Sequence, residues 1–140
     1  MPRMKKVVGK IDISALNIPP EKHEYEAARY FAKRGKDVVF LKPSDIKKQH
    51  TPDFMMDGKM WELKSPIVYG RNSFEDNLRR AIRQSEHIIY DLRYLNMNDE
   101  QRYIRELNKW KAKKRIKTLL VIKKNGQLLT TKGVFDIIEL

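Results

Sequence analysis

Cysteine is absent from the 140-residue chain, and its absence excludes several classes of protein. A disulfide-stabilised scaffold, a Cys-ligated zinc site and a thiol nucleophile all require it. The three histidines, His23, His50 and His87, lack the HExxH spacing of a zinc protease. No apolar run approaches the roughly 20 residues of a membrane-spanning helix, and no signal-peptide core follows the basic start. We therefore expect a cytoplasmic protein without a membrane segment.

Acidic residues are few relative to basic ones. The chain has 18 Asp and Glu against 30 Lys and Arg, which gives a formal net charge of +12. The surplus is present in both halves of the chain, so it does not form a detachable tail. A hydrophobic fraction of 41% is still enough for a core. We expect a basic N-terminal arm over residues 1–19, a single domain over residues 20–140, and a polyanionic partner such as nucleic acid.

Apolar periodicity and turn residues predict an alternation of helices and strands. Residues 1–20 are consistent with an edge strand or a turn, and residues 134–140 with a last strand or a docked tail. The expected elements are a helix over 20–34, a strand over 37–41, a hairpin formed by 53–56 and 59–65, a helix from Ser73 whose apolar period runs through Leu92, a helix from Asn98, and strands over 118–122 and 127–131. This order predicts an α/β fold in which helices flank a mixed central β-sheet.

The hairpin carries an unusual arrangement of charges. A two-residue turn at Asp57-Gly58 would set Asp53 opposite Glu62 on one face of the hairpin, with Lys64 two residues further along. The other face would hold the apolar side chains Phe54, Met56, Trp61 and Leu63. Like charges that face each other destabilise a sheet, and a divalent cation such as Mg²⁺ or Mn²⁺ removes that penalty. Lys64 would then orient a water molecule or stabilise a phosphate in the transition state.

Two short motifs carry a family resemblance. Pro52-Asp53 followed by Glu62-Leu63-Lys64 resembles the PD-(D/E)xK nuclease motif, and a helix with Glu24 precedes it. Over residues 20–125 the chain resembles the tRNase-type C-terminal toxin domain of bacterial contact-dependent inhibition proteins. The resemblance implies a restriction-endonuclease-like core and an Mg²⁺-dependent endonuclease. It also implies delivery to the cytoplasm of a target cell and an acidic immunity protein as inhibitor.

The resemblance also implies roles for individual residues. Asp53, Glu62 and the Leu63 carbonyl would bind the metal, and Lys64 would be the catalytic lysine. Glu24 would bind the metal directly or through water, and Glu26 is the alternative on the same helix.

Contacts with nucleic acid are expected on the two helices that follow. By resemblance Asn77, Arg80 and Gln84 would contact phosphate or orient the site, and Arg79 and Arg83 flank them. Lys113 and Lys114 belong to a basic run over residues 105–117 that would attract the nucleic-acid backbone. Trp110, in the same run, would either stack on a base or pack in the core.

The substrate and the activity each leave alternatives. RNA, and tRNA in particular, is favoured over DNA only through the toxin resemblance. The rival hypotheses are a nucleic-acid-binding module without catalysis, a DNA endonuclease of a phage or mobile element, and a small basic adaptor that acts through protein contacts.

Overall fold

The computed structural model describes residues 8–44 and 50–138, and it contains seven strands and three helices within those ranges. In chain order they are β1 (Ile11–Asp12), α1 (Lys22–Lys33), β2 (Val38–Phe40), β3 (Phe54–Met56), β4 (Lys59–Lys64), α2 (Arg71–Gln84), β5 (His87–Asp91), α3 (Met97–Trp110), β6 (Thr118–Ile122) and β7 (Leu128–Lys132). The strands form one sheet in the order β1-β2-β3-β4-β5-β6-β7.

The sheet is mixed, as the sequence predicts. Strand β1 is parallel to β2, and β2 is antiparallel to β3. Strands β4, β5 and β6 are parallel to one another, and β7 returns antiparallel to β6. The expected α/β class with a mixed sheet and flanking helices is therefore confirmed. The chain divides into two compact units, Met1–Lys59 with Asp136–Leu140 and Met60–Phe135, and each is described by itself.

In the first unit α1 buries a face of small and aromatic residues, Ala27, Ala28, Tyr30, Phe31 and Ala32. The helix begins after its N-cap, Glu21, so Pro20 lies before the helix rather than in its first turn. Of the two alternatives for the basic arm, an edge strand or a turn, the structure contains the strand β1, which pairs with β2 at Ile11. The C-terminal segment also reaches this unit, because the Ile138 N–H donates to the Arg34 carbonyl over 3.0 Å.

The predicted two-residue turn is present. Asp57 and Gly58 have φ of 56° and 72°, the left-handed conformation that a type I′ turn requires at both positions. The side chains of β3 and β4 divide as expected. The four apolar residues of the predicted core face, Phe54, Met56, Trp61 and Leu63, are all buried, whereas Met55 and Met60 are exposed.

The second unit contains a strand that the sequence pattern missed. The helix expected to run from Ser73 through Leu92 ends at Gln84, and β5 follows it. Ser85 forms the break, because its hydroxyl donates to the Met60 carbonyl over 2.6 Å and accepts from the His87 N–H over 3.0 Å. Strand β5 lies between β4 and β6, and its last four residues are buried. A strand buried on both faces lacks the alternation that would separate it from a helix.

The core of the second unit joins α2 and α3 to β5 and β6. The buried cluster contains Phe74 and Leu78 from α2, Tyr90 from β5, Tyr103 from α3 and Val121 from β6. Its aromatic rings pack edge-on or tilted, with 4.9 Å between the ring centroids of Phe74 and Tyr103. Both helices therefore cover the same face of β5 and β6.

The remaining boundaries agree closely with the pattern. Helix α3 begins at Met97, where the side chain of its N-cap, Asn96, accepts from the Asn98 N–H. Strand β6 has the expected bounds, and β7 lies one residue later than predicted. Residues 134–138 form no strand, and residues 139–140 lie outside the described part of the chain.

Candidate functional site

A cavity of about 360 Å³ in the first unit brings two of the predicted acids together. Glu24 and Asp53 line it with His50. Asp53 immediately precedes β3, and its carbonyl accepts from the Leu41 N–H over 3.1 Å, which fixes the backbone at this position. The lining also includes apolar side chains, those of Leu16, Ile18, Pro19, Pro20 and Pro43. The cavity thus offers hard oxygen ligands beside an apolar surface.

The two candidate acids of α1, Glu24 and Glu26, have different surroundings in the structure. Glu24 is the third residue of the helix, and its Oε1 accepts from the Glu21 N–H over 2.9 Å. Glu26 lies 3.3 Å from the Arg29 guanidinium and does not line the cavity. Glu24 therefore caps its own helix, and of the two acids it is the one that shares a cavity with Asp53.

In the second unit Glu62 and Lys64 form an ion pair on β4. The Lys64 Nζ lies 3.2 Å from Glu62 Oε2, and the Glu62 side chain is only 2% exposed. A buried carboxylate is costly unless a charge or hydrogen bond compensates it, and Lys64 supplies part of that compensation. Leu63 lies between them in sequence and is buried. Because side chains alternate along a strand, Glu62 and Lys64 share the face opposite to Leu63.

The strand register places this ion pair on the α2 side of the sheet. Glu62 is paired with Ile88 and Lys64 with Tyr90. Paired residues of neighbouring strands project to the same side, and both Ile88 and Tyr90 belong to the core cluster beneath α2. Asn77 of α2 meets this side directly, because the Tyr90 hydroxyl donates to its Oδ1 over 2.8 Å.

The other predicted nucleic-acid residues lie mostly on the surface of the second unit. Arg79, Arg80, Arg83, Lys113 and Lys114 are exposed. Gln84 is half-buried, and its Oε1 is enclosed without a hydrogen-bond partner among residues 8–44 and 50–138.

Trp110 is packed rather than free. It lies half-buried against the core cluster, with Arg79 at 5.4 Å and Lys113 at 5.3 Å from its ring centroid. The ring is therefore part of the packing at the core edge, and the two cations above it form a positively charged surface.

The carboxylates can be tested for their fit to a metal ion. Across residues 8–44 and 50–138, no three His, Asp or Glu side chains are grouped closely enough to hold one. Mg²⁺ does not need such a group, because it commonly uses one or two protein carboxylates and completes its shell with water and substrate phosphate. Glu24 and Asp53, on one cavity, fit that requirement. Asp53 and Glu62 belong to different units, so their facing each other stays a prediction.

Sequence reasoning missed the polar residues of β5. The Tyr90 side chain is fully buried, and burial, then Tyr103 and then the charge of Glu62 raise the pKa of Tyr90 well above its ordinary value. Asp91 is also fully buried, and Arg93 donates to both of its carboxylate oxygens over 2.8–2.9 Å. The Ser85-Glu86 break before the apolar run Ile88-Ile89-Tyr90 is the signal that could have shown the strand.

No helix in the described part of the chain is long and apolar enough to cross a membrane.

Two comparisons bear on the identity of the chain. The family model of the contact-dependent growth inhibition CdiA C-terminal domain matches residues 49–128, which is more than half of the chain. The fold is similar to that of the CdiA-CT/CdiI toxin and immunity complex from Burkholderia pseudomallei, with a TM-score of 0.59 and 18% sequence identity. That match covers 86% of this chain and 97% of the other. No curated protein matches.

Proposed function

The chain belongs to the contact-dependent growth inhibition CdiA C-terminal domain family, and from that premise we propose that it is a metal-dependent nuclease. The reaction would be hydrolysis of phosphodiester bonds, with RNA, and tRNA in particular, favoured over DNA as substrate. As a toxin domain it would act in the cytoplasm of a target cell. The observation that carries this proposal is the buried Glu62 carboxylate with the Lys64 ammonium 3.2 Å away.

A buried carboxylate on a central strand is costly for stability, so its presence favours a functional role. The sequence motif to which Glu62 belongs supplies the kinds of groups that phosphodiester hydrolysis uses. Glu62 and Lys64 follow the type I′ turn at Asp57-Gly58, and Asp53 precedes β3 at a cavity that Glu24 also lines. Hard carboxylate oxygens attract a divalent cation, and an ammonium group attracts the phosphate.

Each residue has a defined part in this proposal. Asp53, Glu62 and the Leu63 carbonyl would hold Mg²⁺ or Mn²⁺, with Glu24 acting directly or through water. When bound, the ion supplies charge stabilisation and lowers the pKa of a bound water. Lys64 would donate hydrogen bonds to the phosphate and stabilise its developing negative charge. The Glu62 carboxylate holds the Lys64 ammonium in place, because Glu62 Oε2 and Lys64 Nζ lie 3.2 Å apart.

The positive charge of the second unit suits both a nucleic acid and an acidic inhibitor. Residues 60–135 contain 17 Lys and Arg against 8 Asp and Glu. Arg79, Arg80, Arg83, Lys113 and Lys114 contribute exposed cations to that surplus. The similar structure from Burkholderia pseudomallei is a toxin with its immunity protein. We propose an acidic immunity protein as the partner of this chain, because opposite charge accelerates association.

Cleavage of mixed RNA and DNA tests the proposed activity. The parent should cleave in Mg²⁺ and lose activity in EDTA. The variants Asp53→Ala, Glu62→Ala and Lys64→Ala should each lower the cleavage rate by about a hundredfold or more, which is the loss typically seen when a charge-stabilising group is removed. Lys33→Ala is the matched control, because it removes an exposed lysine at the C-terminal end of α1, outside the proposed site and outside the basic run over residues 105–117. Equal cleavage by the parent and all three site variants would refute the proposal.

A further inference from the structure

A polar contact on the inner side of α2 has no part in the reaction outlined above. The fully buried Tyr90 hydroxyl donates to Oδ1 of Asn77 over 2.8 Å. This bond occupies the carbonyl end of the Asn77 amide and leaves its NH2 group, which carries two donors, at the other end. Asn77 is half-buried, so the residue is partly open to solvent while Tyr90 holds the oxygen of its amide.

The position of this contact relative to β4 is given by the strand register. Lys64 is paired with Tyr90, and Glu62 with Ile88. Both pairs project to the α2 side of the sheet, where Asn77 also lies. The Asn77 amide is therefore held on the same side as the Glu62–Lys64 ion pair, in the same compact unit.

We propose that Tyr90 is a positioning residue that orients the Asn77 amide so that its NH2 group donates to a phosphate oxygen of the bound nucleic acid. This inference rests on the proposed nuclease function and adds a residue from β5 to it. A donor that is held in place before substrate binds gains more from each hydrogen bond, because little ordering remains to be done. The Tyr90 phenol is a suitable anchor, since burial raises its pKa and keeps it a donor throughout the neutral and mildly basic range.

Four variants separate orientation from packing. Tyr90→Phe removes only the hydroxyl, and we expect kcat to fall about tenfold while KM stays within about twofold. Asn77→Ala should cause a similar loss, and the double variant should lose no more than either single variant, because both act through one amide. Asn77→Asp keeps an acceptor for Tyr90 but removes both donors and adds a negative charge, so it should lose more activity than Asn77→Ala.

Tyr103→Phe is the matched control. Tyr103 is buried in the same cluster, with its ring centroid 5.6 Å from that of Tyr90, and its hydroxyl has no part in the Asn77 contact. We expect parental kcat for this variant. Urea unfolding of every variant reports any loss of stability separately, and if Tyr90→Phe fails to fold, Asn77→Asp still tests the amide donors.

The outcomes are distinct. Parental kcat in Tyr90→Phe, equal losses in Tyr90→Phe and Tyr103→Phe, or full activity in Asn77→Asp would each overturn the role of Tyr90 while the nuclease function stands. Additive losses in the double variant would overturn it too, because the two residues would then act separately. A parent that cleaves neither RNA nor DNA would overturn the proposed function, and this inference with it.

Discussion

Replacing Lys64 by methionine tests the energetic role of the buried ion pair. The substitution keeps a long apolar side chain and removes only the ammonium group that lies 3.2 Å from Glu62. Removing one partner of a buried ion pair costs about 3–5 kcal/mol. The Lys64 side chain is 17% exposed, so water replaces part of the lost contact and we expect the lower end, about 3 kcal/mol. With a urea m-value of about 2 kcal/mol per molar, the unfolding midpoint should fall by about 1.5 M.

The matched control is Lys109→Met, which removes the same group from an ion pair of similar length. Lys109 lies 3.0 Å from Glu106, but its side chain is 65% exposed. Surface pairs of this kind contribute about 0–1 kcal/mol, so the midpoint should move by less than about 0.5 M. Urea unfolding in EDTA, followed by circular dichroism, compares the two variants with the parent. Equal midpoints for Lys64→Met and Lys109→Met would refute the reasoning from burial.

The same pair of variants tests the metal. If the Glu62 carboxylate binds Mg²⁺, the ion supplies the positive charge that Lys64→Met has lost, and the stability gap to the parent should narrow by about 1 kcal/mol or more. A ligand at one hundred times its dissociation constant stabilises the folded state by about 2.7 kcal/mol, so an effect of this size is measurable. A gap that is unchanged between EDTA and saturating Mg²⁺ would contradict the metal assignment without depending on any cleavage assay.

Two further predictions concern stability. Burial raises the pKa of Tyr90 and of Tyr103, so the unfolded chain, with ordinary tyrosine pKa values near 10, releases these protons first. The free energy of unfolding should therefore be constant below about pH 9 and fall above about pH 10. Urea unfolding at a series of pH values should show a smaller fall for Tyr103→Phe than for the parent. The same dependence of unfolding free energy on pH in both proteins would contradict this. Gly58→Ala should lower the free energy of unfolding by about 1–2 kcal/mol, because Gly58 has φ of 72°, a conformation that strains an alanine backbone. A Cβ at this position would meet nothing within 4 Å, so no steric clash adds to the backbone strain. Gly58→Asn, measured the same way, should cost less; a neutral Gly58→Ala would show that the turn changes conformation.

The sequence predicted best those elements whose defining residues lie within the element itself. The Asp57-Gly58 turn depends on two residues that tolerate positive φ, and it sets which hairpin side chains are buried. Helix α3 and strand β6 also have local markers, a helical apolar period after Asn98 and a continuous apolar run over residues 119–122. These features need no knowledge of what packs against them.

Strand β5 could not be predicted in the same way because tertiary burial determines it. Ile89 and Leu92 continue the three- and four-residue spacing of α2, so the apolar period alone favours a longer helix. The Ser85 hydroxyl ends the helix through a contact with Met60, which is 25 residues away. This affects the candidate site, because Tyr90 lies on β5. A helix continuing through Leu92 would not predict the hydrogen bond between Tyr90 and Asn77.

Glu24 illustrates how a structural role limits a catalytic one. Its Oε1 accepts from the Glu21 N–H over 2.9 Å, which satisfies a backbone donor at the start of α1. This backbone bond takes one of the lone pairs of Oε1, so it competes with metal binding by that oxygen at the cavity that Asp53 also lines. A metal ion bound there would reach Glu24 most readily through its other carboxylate oxygen, Oε2, or through a water molecule. The helix cap thus favours Asp53 as the principal ligand of the first unit, with Glu24 in a supporting position.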